Sequence, residues 1–215
     1  MNEIMVLPRE CFRGLDGFVS WSNAGKLVDS VSSYAKWMPR PEAERCDRWV
    51  QPIPSAIFRD SGGRYCVFRQ PRQPRKDLSR RVSLIVGGHI DRDCDNEIAG
   101  EVFEETIKRE VLEEVGINLD CPLIPVGIVV DATSIVASKH VGFVYETVVD
   151  RKIKPLNSEE FAVRSKYNGQ FISVEALSEL SSMLDPWSTI LYYQYLKGGF
   201  PIDMGRQSKF LVPSE

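Results

Sequence analysis

Residues 109–117 read REVLEEVGI, a short stretch in which glutamates recur at the spacing of an α-helix. With 3.6 residues per turn, Glu110, Glu113 and Glu114 stand at i, i+3 and i+4, so their carboxylates project from one side of the helix. Gly116 is the kind of residue that ends a helix. Because like charges at these spacings repel each other, the stretch predicts a helix whose acidic face holds a cation.

A hard divalent cation suits such a face. Carboxylate oxygens favour magnesium, manganese or calcium over zinc or copper, and magnesium bridges carboxylates to phosphates while it keeps several waters. The alternative is an acidic face that is simply solvated, because many surface helices are acidic. Spacing alone leaves both interpretations open, and the flanking residues decide between them.

Those flanking residues complete a longer pattern. Glu101 is followed by seven residues and then by REVLEEVGI. The whole resembles the Nudix box of the Nudix (MutT-like) hydrolase superfamily, in which a glycine, a glutamate and then R-E-aliphatic-x-E-E-x-G-aliphatic follow at set intervals. One position departs from the pattern, because Asp95 stands where a glycine is required. The nearest suitable glycine is Gly88, which makes the loop before Glu101 seven residues longer than usual and is expected to affect substrate geometry more than metal binding.

The order of elements along the chain predicts an α+β fold. The sequence predicts a β-hairpin with a DSGG turn at Ser55–Arg59 with Arg64–Arg69, then an apolar strand at Val82–Val86 and a long helix from Asn96 or Ala99 to Val115. Two further strands are predicted at 123–131 and 140–149, and two helices at Val174–Met183 and Pro186–Leu196. The resemblance implies a Nudix-type α/β/α sandwich with a mixed sheet and a Nudix-box helix. Residues 1–50 are predicted to form an N-terminal extension that packs on a Nudix domain of residues 51–215.

The resemblance also implies a set of site residues. Metal ions would be bound by Glu110, Glu113 and Glu114, and the carbonyl of Gly87 would complete the coordination. Arg109 would orient the glutamates by pairing with Glu101 or Glu110. The general base stays open, and the candidates are Glu110, Glu159 and Glu160.

Charge is segregated next to this predicted helix. Residues 64–81 carry seven basic side chains and one acid, whereas residues 91–114 carry ten acids and three bases. From the first segment, Arg69 and Arg81 are expected to bind substrate phosphates, with a solvated basic arm as the alternative. His89 is assigned to the substrate site as well, although a plain turn residue is the alternative.

Composition excludes several other classes of protein. A formal charge of −3 and a pI near 5.6 give no overall basic field, so a general nucleic-acid binder is disfavoured. Five scattered cysteines without C-x-x-C spacing predict neither a disulfide framework nor a zinc site, and reduced thiols favour a cytoplasmic location. No uncharged run approaches the roughly 20 residues of a membrane span, so no membrane partner is expected.

The resemblance implies a metal-dependent pyrophosphohydrolase that uses Mg²⁺ or Mn²⁺. Its substrate would be a small molecule, a nucleoside diphosphate linked to another moiety X, and a homodimer is left open. Two alternatives have the same fold. One is a regulatory protein that senses a nucleotide without turnover, which the intact glutamates disfavour. The other is a prenyl-diphosphate isomerase, which would need a suitably placed cysteine that the sequence does not show.

Overall fold

A computed structural model gives the fold of the chain and describes residues 3–71, 80–92, 99–133, 137–156, 160–162 and 165–198. Within these ranges the strands are β1 Glu3–Pro8, β2 Gly17–Ser20, β3 Lys36–Pro39, β4 Trp49–Arg59, β5 Tyr65–Arg69, β6 Val82–Ser83, β7 Ile85–Gly87, β8 Ile124–Val130, β9 His140–Val148 and β10 Gln170–Ile172. The α-helices are α1 Gly25–Tyr34, α2 Arg40–Ala43, α3 Ala99–Val115, α4 Val174–Leu180 and α5 Pro186–Ile190, and a π-helix at Leu191–Leu196 follows α5.

The long strand β4 organises a mixed sheet with the order β10-β5-β4-β9-β8-β2. β4 pairs in parallel with β9 along residues 51–59, while its other partners β1, β5 and β7 are antiparallel to it. The predicted hairpin is present, since Arg59 pairs with Tyr65 across the turn at residues 60–63, where Gly63 adopts a φ of 79°. The sheet is therefore mixed, as predicted.

Helices cover both faces of the sheet. Along β4, Ala56 and Phe58 point to the side of α3, whereas Ile57 points to the side of α4, α5 and the π-helix. Strand alternation accounts for this division, because successive side chains project to opposite faces. On the first face α3 buries one apolar stripe at four-residue steps, formed by Phe103, Ile107, Val111 and Val115. The result is the predicted layering of helix, sheet and helix.

The strand predicted at Val82–Val86 is divided into two shorter strands. β6 pairs with β5, whereas β7 pairs with β4, so the chain changes partners between them. At the change, the backbone N–H of Leu84 donates a hydrogen bond to Ser188 Oγ at 2.8 Å. This side-chain bond satisfies the backbone group where the strand ladder is interrupted.

The N-terminal segment contributes strands of its own. β2 pairs with β8, and β1 pairs with both β3 and the first residues of β4. β1 also contacts the loop that follows β7, because the N–H of Met5 donates to the carbonyl of Ile90 at 2.9 Å. The division into an extension of residues 1–50 and a domain of residues 51–215 stays a prediction. Across the described residues, no helix combines the length and the apolar character that crossing a bilayer requires.

Candidate active site

The chain just after β7 meets the C-terminal half of α3, where Gly88 lies against Glu110. The apolar stripe of α3 packs on the sheet and so fixes the rotation of the helix. Glu110 and Glu114 consequently face the cleft beside the loop after β7. Glu114 is 8% exposed and the side chain of Glu110 is 13% exposed, whereas the side chain of Glu113 is 58% exposed. Glu114 is therefore buried and Glu110 is partly buried, whereas Glu113 faces outward.

Gly88 and Glu110 approach each other so closely that no side chain fits between them. A Cβ added at Gly88 would overlap the carboxylate of Glu110. The φ of Gly88 is not in the left-handed region, so its backbone conformation does not require glycine. The close approach of Glu110 is what requires it. The glycine allows the carboxylate of α3 to lie directly against the backbone at the end of β7.

Arg109 joins the loop after β7 to the glutamates. Its Nη2 donates to Glu110 Oε1 at 2.8 Å and to the carbonyl of His89 at 2.9 Å. Its Nη1 contacts Glu113 Oε2 at 3.3 Å, and Asp91 lies 3.5 Å from Nη2. Of the two predicted partners, Glu110 is the one that Arg109 binds. The planar guanidinium thus fixes Glu110 relative to the loop through several bonds at once.

The buried carboxylates are electrostatically unfavourable as they stand. Burial, followed by the negative charges of Glu110, Glu160 and Glu113, raises the pKa of Glu114 to about 8. Burial also raises the pKa of Glu110, against the opposing charge of Arg109. The salt bridges of Arg109 reach Asp91, Glu110 and Glu113, but not Glu114. A cation beside Glu114 would relieve this repulsion.

The oxygen donors in this region fit a hard divalent cation. Glu110, Glu114 and the backbone of Gly87 line the same cleft and supply only oxygen ligands. In the described ranges, no three acidic, histidine or cysteine side chains are already grouped closely enough to hold an ion. Arg109 accounts for part of this, since it already binds one carboxylate oxygen each of Glu110 and Glu113.

These residues line a cleft of about 910 Å³. From the predicted site, the cleft contains Gly87, His89, Arg109, Glu110, Glu114 and Glu160. Glu101 is exposed near the start of α3, and it is not among the lining residues; neither is Glu113. Glu159 lies outside the described residues, as do residues 93–98 of the long loop.

The two predicted arginines of the basic arm lie elsewhere. Arg69 Nη1 is 3.6 Å from Met183 Sδ, and Arg81 Nη1 donates to the carbonyl of Ser182 at 2.7 Å. Both therefore contact the 3₁₀ turn that follows α4, and neither lines the cleft. A role for them in substrate binding stays a prediction.

His89 faces the cleft and belongs to a small polar cluster. Its Nε2 lies 2.7 Å from Gln51 Oε1, and its ring meets the ring of His140 edge to face with centroids 5.7 Å apart. Burial, followed by the charges of Arg40, His140 and Arg109, lowers the pKa of His89 to about 3, so the imidazole is neutral at pH 7. Sequence reasoning missed Arg40 and His140. The one available signal was that His89 and His140 are the two histidines of the chain.

Two buried aspartates at the cleft have structural partners. Asp185 accepts hydrogen bonds from the N–H and the hydroxyl of Ser188, at 2.8 and 2.9 Å, and so caps the start of α5. Asp131 accepts bonds from the N–H and the hydroxyl of Thr133. These bonds account for both aspartates as fixed parts of the cleft wall.

Comparisons with known proteins give a consistent assignment. The family model described as the NUDIX domain matches residues 49–193. Protein YmaB of Bacillus subtilis (strain 168) is 23% identical over 197 residues, which cover 86% of this chain and 93% of that protein. Tm1382, a candidate Nudix hydrolase of known crystal structure, has a TM-score of 0.71 and 24% identity over 91% of this chain and 98% of its own. The MutT protein from Methanosarcina mazei Go1 has a TM-score of 0.50 and 17% identity over 71% and 96%.

Proposed function

Because the chain belongs to the NUDIX domain family, we propose that it is a metal-dependent pyrophosphohydrolase acting on a nucleoside diphosphate linked to another moiety X. Membership of the family agrees with the resemblance carried by residues 101–117, and it supports the predicted enzyme class, a hydrolase of phosphoric anhydride bonds. The fold of Tm1382 agrees with the predicted α+β class. Metal dependence and the nature of the substrate are the proposed parts.

One observation carries the proposal. Two carboxylates, of the buried Glu114 and the partly buried Glu110, lie at a large cleft, and the pKa of each is raised by burial. Perturbed acids in a cleft are typical of functional sites rather than of solvated helix faces. A solvated acidic face would leave all three glutamates exposed, which only Glu113 is.

We propose that Glu110, Glu114 and the Gly87 carbonyl hold Mg²⁺ or Mn²⁺, with Glu113 as a further ligand from the more exposed side. The metal, when bound, neutralises phosphate charge and activates water for attack on phosphorus. Arg109 keeps Glu110 in place against the loop after β7. Glu160 is the better placed of the two described candidates for the general base, because it lines the cleft and Arg109 already occupies an oxygen of Glu110.

Gly88→Ala gives a steric test of this arrangement. The added methyl group would overlap the carboxylate of Glu110 and displace it, so we expect at least about a 100-fold loss of metal-dependent hydrolysis. Gly25→Ala is the matched control, since a Cβ at Gly25 meets no atom within 4 Å. Steady-state kinetics of both variants measure the effect. Equal activity of the two alanine variants would mean that the position of Glu110 does not matter for the reaction.

A substrate panel tests the function itself. The purified protein is incubated with Mg²⁺ or Mn²⁺ and with nucleoside diphosphate sugars, dinucleotides and other diphosphate derivatives, and the products are identified by mass spectrometry. We expect two phosphorylated products from at least one compound, and no products when EDTA removes the metal. Tight binding of a nucleotide without cleavage would instead support the regulatory alternative.

The isomerase alternative has little support at the cleft. It requires a cysteine that acts as acid or base, and none of the four described cysteines is among the lining residues. Cys66 is buried in the core, where burial raises its pKa and disfavours the thiolate. Cys94 lies outside the described residues.

A further inference from the structure

The N-terminal segment contributes to the cleft a cation that the proposed chemistry does not use. Arg40 lines the cleft from the N-terminal segment, as the first residue of α2. Its Nε contacts Glu44 Oε1 at 3.3 Å, and the side chains of the pair are 49% and 55% exposed. Such an exposed ion pair is weak, and no other described residue binds the terminal nitrogens of the guanidinium, which are its best anion donors.

The position of Arg40 depends on the packing of α2 on β1 and on the bonding of β1 to the loop after β7. On one side, α2 is anchored through Ala43, which is fully buried with Ile4 and Val6 of β1. On the other side, β1 is hydrogen bonded to the loop after β7, where Met5 N–H donates to Ile90 and Arg92 N–H donates to Glu3. The loop that carries His89 is therefore linked through β1 to the helix that begins with Arg40.

The histidine pair forms the neighbouring surface. His89 and His140 line the cleft next to each other, with Gln51 behind His89. Gln51 is 1% exposed, and its Nε2 has no hydrogen-bond partner among the described residues. Buried polar groups in folded proteins are normally satisfied, so an unpartnered amide beside a cleft is typical of a site whose ligand or water completes it.

Arg40 and Arg109 reach the cleft from different helices and have different ion-pair partners. Arg109 binds Glu110 and Glu113 of its own helix α3, whereas the ion pair of Arg40 is with Glu44, next to α2. An anion bound by Arg40 would therefore lie on the α2 side of the cleft, whereas the glutamates and their metal would hold the pyrophosphate on the α3 side. A cleft of about 910 Å³ has room for a ligand that reaches both positions.

We infer that Arg40, together with His89 and His140, forms a subsite for an anionic group on the moiety X. The inference rests on the proposed function, and it narrows the substrate class to nucleoside diphosphates whose X carries a phosphate or a carboxylate of its own. A guanidinium binds either group, through two parallel N–H donors, while the imidazole nitrogens beside it offer further hydrogen bonds.

Matched substrates test the subsite. UDP-glucuronate and UDP-glucose differ by one carboxylate on X, and ADP-ribose 1″-phosphate and ADP-ribose differ by one phosphate on X. For each pair, the kcat/KM of the compound with the extra anionic group is divided by the kcat/KM of the compound without it. We expect this ratio to exceed about 10 in at least one pair for the wild-type protein, and the pair that responds distinguishes a carboxylate from a phosphate.

Variants assign the preference to Arg40. Arg40→Gln should lower the ratio at least about tenfold, and Arg40→Lys, which retains the charge, should lower it less. Arg45→Gln is the matched control, because Arg45 is an exposed arginine of the same segment that does not line the cleft. A ratio near 1 in both pairs for the wild type would overturn the inference. So would a preference that survives in Arg40→Gln.

A second readout separates this inference from the proposed function. If none of the four compounds is cleaved, the result does not support hydrolysis of these compounds. The subsite is then tested by measuring the dissociation constant of each compound in the presence of Mg²⁺. Tighter binding of the compound with the extra anionic group by the wild type, lost in Arg40→Gln and kept in Arg45→Gln, would support the subsite. Equal binding within each pair, or no binding of any compound, would contradict it.

Discussion

Glu114→Gln should reduce metal-dependent hydrolysis by about 100-fold or more while the protein remains folded. Glutamine keeps the size of the side chain and its helix propensity but cannot supply a charged oxygen to a divalent ion. Glu114 is the most deeply buried carboxylate of the cluster formed by Glu110, Glu113 and Glu114, and burial raises its pKa to about 8. Steady-state kinetics at saturating and limiting Mg²⁺ measure the effect.

The same substitution should stabilise the metal-free protein. In the unfolded chain the carboxyl ionises near its ordinary pKa of 4.5, whereas in the folded protein it holds its proton up to about pH 8. The unfolded state therefore binds fewer protons between these values, and the free energy of unfolding falls as pH rises through that window. Glu114→Gln removes this loss, so we expect it to be more stable than wild type at pH 8 by on the order of 1 kcal/mol, and to be similar at pH 4.5.

Chemical denaturation at the two pH values, in EDTA, checks the stability effect. Glu179→Gln is the control, because Glu179 is an exposed glutamate of α4, on the opposite side of the sheet. It should change neither activity nor the pH dependence of stability. Full hydrolytic activity of Glu114→Gln would contradict the assignment of Glu114 to the metal site.

Arg109→Lys should lower kcat/KM by about 100-fold with little change in stability. Lysine keeps the positive charge but cannot bind Glu110, Glu113 and the His89 carbonyl together, as the guanidinium does. Glu110 would then shift relative to the loop after β7, and displacements of about 1 Å in an active site cost on the order of 100-fold in rate. As a partly exposed ion pair, Arg109 should contribute only about 1 kcal/mol to folding.

Kinetics and thermal unfolding of the same samples separate the two effects. We expect the melting temperature to change by only a few degrees, since about 1 kcal/mol corresponds to roughly 2–4 °C in a chain of this size. Arg45→Lys serves as the control for a conservative change at an exposed arginine. If Arg109→Lys retains wild-type turnover, then Arg109 is a surface ion pair and does not position the glutamates.

The parts of the fold that could be predicted are those with local patterns. The helix over residues 99–115 follows from apolar residues at four-residue steps, and its end follows from Gly116, whose φ is 66°. The hairpin follows from the glycines of its turn. The burial of Glu110 and Glu114 could not be read from spacing, because it depends on how far the apolar stripe of α3 rotates the helix against the sheet.

The wall that holds Arg40 has no local signal. Arg40 and Gln51 are far in the chain from His89 and from His140, and strand pairings that span many residues bring these segments together. The pairing of β1 with the loop after β7 is of this kind, since it joins residues more than 80 positions apart. For the same reason Arg69 and Arg81 could not be placed in advance, because the charge balance of a segment does not determine which surface it contacts.

Hydrolysis in H₂¹⁸O tests the central claim most directly. With Mg²⁺ and a substrate from the panel, the proposal requires that a P–O bond of the anhydride breaks as water adds to one phosphorus. Mass spectrometry should then find one ¹⁸O atom in one of the two phosphorylated products, no products in EDTA, and a rate at least about 100-fold lower for Glu114→Gln. Cleavage that persists in EDTA, or that proceeds at the wild-type rate in Glu114→Gln, would contradict a metal-dependent reaction at this glutamate cluster.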